Sequence, residues 1–273
     1  MADRVEIDTG SPKLTLCIDG GVGVLTLNDP ENRNPLGADL RPLFREVVER
    51  IARDNDIRCL LLTGAGEAFC AGGSAKAMAN VEPEPLEARI RTIKWESEAS
   101  AILHEMPKPS IAALPGAAAG AGLSLALACD LRIAAERAFM ITAFKRLALP
   151  GDYGGSWLLT QLVGPAKARE LYFFSPRVAS SECLALGLVN RVVPDDQLQD
   201  EAMAWARELA DGPPSAYRWM KENLNRALHT DLRSTIEEEA QRQCWAAETP
   251  DYREATRAFV EKRTPIFGKP GSS

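Results

Sequence analysis

Residues 57–73, IRCLLLTGAGEAFCAGG, and residues 108–124, KPSIAALPGAAAGAGLS, decide how this chain folds. Each begins with an apolar run, Leu60-Leu61-Leu62 in the first and Ile111-Ala112-Ala113-Leu114 in the second, which suits a strand buried on both faces. Each then passes into glycine and alanine, and the second continues as an Ala-rich helix from near Ala119 to Cys129. Small residues at a strand exit let a ligand atom approach the main chain closely. The first N–H groups of a helix have no internal acceptor and sit at its positive end. Two such groups aimed at one point form an oxyanion hole, in which one donor stabilises a transition state by roughly 3–4 kcal/mol. The same glycines would serve equally in tight turns and close helix packing, and their spacing does not say that the two turns face each other. Neither stretch fits G-x-x-x-x-G-K-[ST], and Gly64-Ala65-Gly66 lacks the third glycine of a dinucleotide fingerprint.

Outward from these stretches the chain alternates strands and helices. Lys13 to Asp19 and Val22 to Asn28 alternate in polarity around Gly20-Gly21, which predicts a hairpin. Asp29 to Leu36 is a polar turn, and Leu40, Leu43, Phe44, Val47, Val48 and Ile51 form one stripe of a helix over 39–53. After an acidic, proline-containing segment at 81–85, a long helix is predicted over 86–105. Short strands over 130–134, 139–142 and 189–193 alternate with helices over 156–162, 165–174 and 180–186. Beyond Pro194 the pattern is helical through Ala258. The expected organisation is an α/β core over residues 1–194 and a C-terminal helical segment over 195–273, ending in a frayed GKPGSS.

The 273 residues carry a formal net charge of -6, which argues against a nucleic-acid partner. An acidic protein can still hold an anionic small ligand through a few local cations. The opening MADRVEIDTG lacks the basic and apolar regions of a secretory signal. No run approaches the roughly 18 apolar residues that span a bilayer. The six cysteines are scattered with no C-x-x-C, and four lie in apolar runs, which suits a reducing compartment without disulfides. With two histidines and no paired ligand spacing, no metal site is expected. The location expected is cytoplasmic, with no membrane partner.

Both stretches, with GDYGGSWLLTQLVGPAKARELYF at 151–173, ALGLVNRVVP at 185–194 and AFVEKR at 258–263, resemble the crotonase superfamily, also called the enoyl-CoA hydratase/isomerase family. The resemblance runs from about Leu14 to Phe267 in the family's order. It implies a ClpP/crotonase-like α/β fold, a ββα spiral core with a C-terminal helical segment that serves trimerisation. It implies an oxyanion hole made by the N–H groups of Gly73 and Ala121, which would bind the carbonyl oxygen of an acyl-CoA thioester. Coenzyme A is then part of the substrate, and no separate cofactor is implied. The resemblance places CoA and acyl contacts at Arg33, Leu36, Ala71, Gly73, Ser74, Ala75, Lys76, Gly116, Ala121, Ser124, Phe144, Trp157, Phe259 and Lys262, the last two sometimes across a subunit boundary. It implies a homotrimer, or a hexamer built as a dimer of trimers. Ser74 stands where the family often has an aspartate that supports the first loop.

Hydratases of this family use two glutamates, and those positions here fall at Ser124 and near Phe144. Addition of water, which needs a held water and an acid–base pair, is therefore not favoured. A carboxylate stands slightly further on, as Asp152 in Pro-Gly-Asp-Tyr-Gly-Gly, which is also good turn chemistry by itself. The pattern over Ala143 to Leu159 resembles the branch containing 1,2-epoxyphenylacetyl-CoA isomerase and Δ3–Δ2 enoyl-CoA isomerases. One carboxylate suffices for isomerisation, because a base that takes the C2 proton can return it at C4. An apolar pocket would raise its pKa toward the useful range, with Tyr153, Trp157, Phe144 and Trp95 as candidate walls. The leading expectation is an acyl-CoA isomerase working through Asp152. The alternatives are a hydratase or hydrolase of a specialised acyl-CoA, and a catalytically weak acyl-CoA-binding protein.

Overall fold

The computed structural model describes residues 4–74 and 84–268. Two sheets of unequal size organise them. The larger has seven strands in the order β1-β2-β3-β4-β6-β8-β11. These are β1 (Val5–Ile7), β2 (Leu14–Asp19), β3 (Val22–Leu27), β4 (Cys59–Gly64), β6 (Ser110–Leu114), β8 (Leu131–Ala135) and β11 (Arg191–Val193). The predicted hairpin at Gly20-Gly21 is present, Asp19 pairing antiparallel with Val22. From β3 onward every neighbour in this sheet is parallel. Every residue of β4 and β6 is buried, as their unbroken apolar runs require.

The smaller sheet has the order β10-β9-β7-β5. Its strands are β5 (Ala68–Cys70), β7 (Ala117–Ala119), β9 (Phe139–Ile141) and β10 (Val178–Ala179). β5 follows β4, β7 follows β6 and β9 follows β8 after a turn of a few residues, so these three strands of the large sheet hand their chain to the small one. The Ala-rich segment therefore starts as a strand at Ala117, and its helix begins at Ala121 rather than Ala119. Alanine favours helix by propensity, and pairing with β5 and β9 overrides that here.

Helix α1 (Leu40–Arg53) buries Leu40, Phe44, Val47, Val48 and Ile51. Its C-terminal carbonyls are capped by the buried Lys108, whose Nζ donates to Ile51 O at 2.7 Å and Asp54 O at 2.5 Å. Helix α2 (Leu86–Glu105) packs against α1, and α3 (Ala121–Ala128) is buried throughout. Helix α4 (Gly155–Phe174) merges the two predicted helices across a break at Gly164, whose φ of 75 and ψ of 165 precede Pro165. Helix α5 (Ser180–Ala185) is followed by four helices: α6 (Leu198–Ala210), α7 (Pro214–Ala227), α8 (Leu232–Ala247) and α9 (Pro250–Glu261). Helix α6 lies across the large sheet and buries Leu198, Ala202, Ala206 and Ala210. From α7 the buried Lys221 Nζ donates to Leu103 O, Lys108 O and, at 2.8 Å, Asp130 Oδ2. Among the described residues, no helix is long and apolar enough to cross a membrane.

Candidate active site

The turn between β4 and β5 and the turn after β7 meet because β5 and β7 pair in parallel, Ala68 opposite Ala117 and Cys70 opposite Ala118. Their contact is so close that side chains are excluded. A Cβ on Gly116 would stand 1.9 Å from the carbonyl oxygen of Glu67, and one on Gly122 2.6 Å from that of Cys70. Gly72 has φ +84 and lies over the start of α3, where a Cβ would come within 2.7 Å of Ala119 O and 3.4 Å of Ala121 N. Glycine is required there by both backbone conformation and space. Ala121 is the first residue of α3, so its N–H belongs to the group without an acceptor inside the helix. The main chain preceding Gly73 thus sits beside the Ala121 amide, the juxtaposition an oxyanion hole requires.

The first turn is held from outside. Gly73 forms a parallel bridge with Leu36, in which Leu36 N donates to Gly72 O at 2.8 Å. A parallel bridge of this sense draws its bonds from the residues flanking Gly73, so the Gly73 N–H is not spent on Leu36. Ala71 N donates to Arg33 O at 2.9 Å. Between these contacts lies Asn34, fully buried with φ 55. Its Nδ2 donates to Ala65 O at 2.9 Å and Ala68 O at 2.8 Å, while its Oδ1 accepts from Asp29 N at 2.8 Å. The sequence reading missed Asn34. The available signal was an asparagine before proline in a polar turn, a residue type that tolerates left-handed backbone.

Asp152 lies on the turn between the 3-10 segment Phe144–Leu147 and α4. Small residues again allow a close approach: a Cβ on Gly155 would stand 2.2 Å from Ser124 Oγ and 3.0 Å from Tyr172 Oη. The turn that carries Asp152 is thereby packed on α3 through Ser124 and on Tyr172. Asp152 Oδ1 is buried without a hydrogen-bond partner. Burial raises its pKa to about 6, and the Arg41 guanidinium opposes that rise. A half-buried carboxyl poised near neutrality is suited to moving a proton, though neither Asp152 nor Ala121 lines the cavity that Gly73 borders within one chain.

The other predicted residues divide into groups. Arg33, Ala71, Gly73 and Ser74 line one cavity of about 880 Å³, together with Lys13, which sequence reasoning did not single out. Lys13 Nζ lies 3.2 Å from Asp39 Oδ2, and both flank this cavity. Leu36 is buried beneath it. Phe144 is buried, stacks on Tyr172 at 5.9 Å and backs Gly120. Ser124 is buried against Gly155, its Oγ 3.4 Å from Gly120 O. Gly116 is packed onto Glu67 and does not face the cavity. Trp157 lines a second cavity, of about 670 Å³, beyond Tyr153 and Gly154. There it meets His104 edge-on at 5.5 Å and stacks with His229 at 5.6 Å. Trp95 lies under the Arg45 guanidinium at 4.6 Å and lines neither cavity. Phe259 is 85% exposed, and neither it nor Lys262 lines the cavity at Gly73 within one chain. Ala75 and Lys76 lie outside the described residues.

Paired parallel strand exits and a half-buried carboxylate on a two-sheet α/β scaffold define the crotonase fold class. A putative enoyl-CoA hydratase from Streptomyces coelicolor A3(2) superposes with a TM-score of 0.90 at 30% identity, covering 96% of this chain and 98% of that one. An enoyl-CoA hydratase from Polaromonas sp. JS666 gives 0.88 at 33% identity, covering 93% and 99%. Residues 18–270 match the enoyl-CoA hydratase/isomerase family, and the chain belongs to it. Among curated relatives, the 1,2-epoxyphenylacetyl-CoA isomerase of Escherichia coli K12 is 36% identical, over 92% of this chain and 96% of that protein. A probable enoyl-CoA hydratase of Rhodobacter capsulatus is 38% identical, over 92% and 95%.

Proposed function

We propose that the protein isomerises an acyl-CoA thioester by moving one proton through Asp152. The observation that carries this reading is one carboxyl, Asp152, whose Oδ1 is buried and free of any hydrogen-bond partner, on a turn whose Gly155 packs against Ser124 of the helix that Ala121 begins. The thioester oxygen accepts from the N–H groups of Gly73 and Ala121. The Asp152 carboxylate removes a C2 proton, and the C–H electrons pass into a dienolate whose negative oxygen the two amides stabilise. Asp152, now protonated, returns the proton at C4, and the double bond moves from C3–C4 to C2–C3 with no other reactant. Lys13 and Arg33 offer positive charge to the CoA phosphates.

Hydration is the second reading, supported by hydratase relatives such as that of R. capsulatus. Against it, the helix position that carries a glutamate in hydratases is Ser124, closed in by Gly155. The position near Phe144 is occupied by an aromatic stack. A homotrimer accords with the outward apolar side chains of Leu224, Leu232, Trp245, Phe259 and Val260 on α7, α8 and α9. In such an assembly Phe259 and Lys262 would serve a neighbouring copy's CoA.

The test is purified protein offered Δ3-enoyl, 2-enoyl and aryl-epoxide CoA thioesters, with products resolved by mass. A Δ3-to-Δ2 shift without mass gain is expected, and Asp152→Asn should slow it by about 10³-fold. Turnover unchanged in that variant, or a gain of one water, would overturn the reading. The base must be ionised to begin, so kcat/KM should fall about tenfold per pH below about 6 and level off above it.

A further inference from the structure

Arg132, on β8, is 4% exposed, and among the described residues no carboxylate pairs with its guanidinium. Asp130, two residues earlier, is answered by Lys221 Nζ at 2.8 Å instead. A buried cation without an anion is costly, and the contacts that hold this one are neutral. Its Nε donates to Leu188 O at 2.7 Å and its Nη1 to Cys129 O at 2.6 Å. Its main chain is fixed as well: Arg132 N donates to Asn190 Oδ1 at 2.9 Å, and Asn190 N donates to Arg132 O at 2.8 Å. Cys129 is the residue that closes α3, and every residue of α3 is buried. The guanidinium therefore stands at the negative end of the helix whose first N–H is that of Ala121. At about 1.5 Å of rise per residue, the two ends of α3 lie only about 12 Å apart.

We propose that Arg132 is a positioning residue that cancels the negative end of α3, so that the Ala121 end presents an unopposed positive potential to the thioester oxygen. The inference rests on the oxyanion reading of Ala121. In a long helix the two ends act independently. In one as short as α3 the carbonyl end, with roughly half a negative charge, subtracts from what the N–H end offers. A full positive charge placed on the carbonyl end reverses that subtraction. Burial along the whole of α3 keeps solvent from screening the effect. Asp130 and Lys221 share this end and compensate each other, so Arg132 supplies the net charge. The Cys129 thiol adds none, because burial pushes its pKa up to about 12. Arg132 touches no reacting atom in this scheme and acts only through the helix.

The test compares Arg132→Gln with Arg132→Lys in the full-length protein. Both side chains are shorter than arginine and both donate to carbonyls, but only lysine keeps the charge. Arg132→Gln should lower kcat by about fivefold to tenfold with little change in KM, whereas Arg132→Lys should keep most of the wild-type kcat. The second readout is the infrared carbonyl stretch of butyryl-CoA, 13C-labelled at the thioester carbon and bound to each protein. Its displacement from the free thioester should shrink in Arg132→Gln and persist in Arg132→Lys. A role in packing alone would leave the two variants alike. If Arg132→Gln does not fold, Arg132→Lys decides: raising the pH to about 10 to strip its buried ammonium must lower kcat reversibly by the same factor, while the wild-type guanidinium keeps its charge. Equal kcat and equal carbonyl displacement in the two variants, or a lysine variant that follows wild type across that pH range, overturns the inference. The two readings separate in the wild-type spectrum. A bound carbonyl that matches the free thioester sinks the oxyanion reading, whereas one displaced equally in wild type and Arg132→Gln sinks only the role of Arg132.

Discussion

The two strand exits bring their amides to one place by different means. The second is built by its own chain: β7 runs into α3, and the Ala121 N–H is presented by a helix that exists for packing reasons in any case. The first has no helix of its own among the described residues. It is held by a turn some thirty to forty residues earlier, through Asn34, Arg33 and Leu36. One amide is therefore placed by secondary structure and the other by side-chain and loop contacts. The contrast predicts unequal sensitivity to substitution.

The largest effect should come where the two exits touch. Gly72→Ala forces a Cβ against Ala119 O and Ala121 N in a left-handed backbone, and should lower kcat by about 10²- to 10³-fold, as loss of one oxyanion donor does. Steady-state kinetics with binding of a non-reactive acyl-CoA would show the loss in kcat rather than in affinity. Next is Asn34→Ala, which strips partners from Ala65 O, Ala68 O and Asp29 N in a buried site. It should cost about 2–4 kcal/mol of stability by denaturant titration and reduce kcat as the first turn loosens. The smallest should be Ser124→Ala on the second exit, where Oγ makes one long contact of 3.4 Å. A change below about 1 kcal/mol and near-normal turnover are expected. A reversed order, with Ser124→Ala worse than Asn34→Ala, would show that the helix-borne exit is the fragile one.

This difference also marks what the sequence could reveal. β4, β6 and α1 were legible because burial on two faces, or on one helical stripe, leaves unbroken or periodic apolar residues. The small sheet was not. β5 and β7 are three residues each, and Ala117-Ala118-Ala119 has no β-branched or aromatic side chain to betray a strand. Yet their pairing is what makes the exits face each other. Asp152 was legible through its resemblance to family members, whereas its burial without a hydrogen-bond partner depends on packing that no local pattern encodes. In the sequence Glu96 is one charge among several on a long polar helix, and only the packing of α2 against α1 makes it a buried acid. Phe259 and Lys262 came from resemblance alone, and a single chain leaves them at the surface.

Lys221 carries a consequence for anyone wishing to shorten this protein. Its ammonium group satisfies the Asp130 carboxylate and two carbonyls at the floor of the molecule, from a helix that begins only at Pro214. A chain trimmed before that helix would leave an anion and two bare acceptors with no cation to answer them. Miniaturisation would have to replace Asp130 as well, for instance by a neutral residue that still caps Ser110.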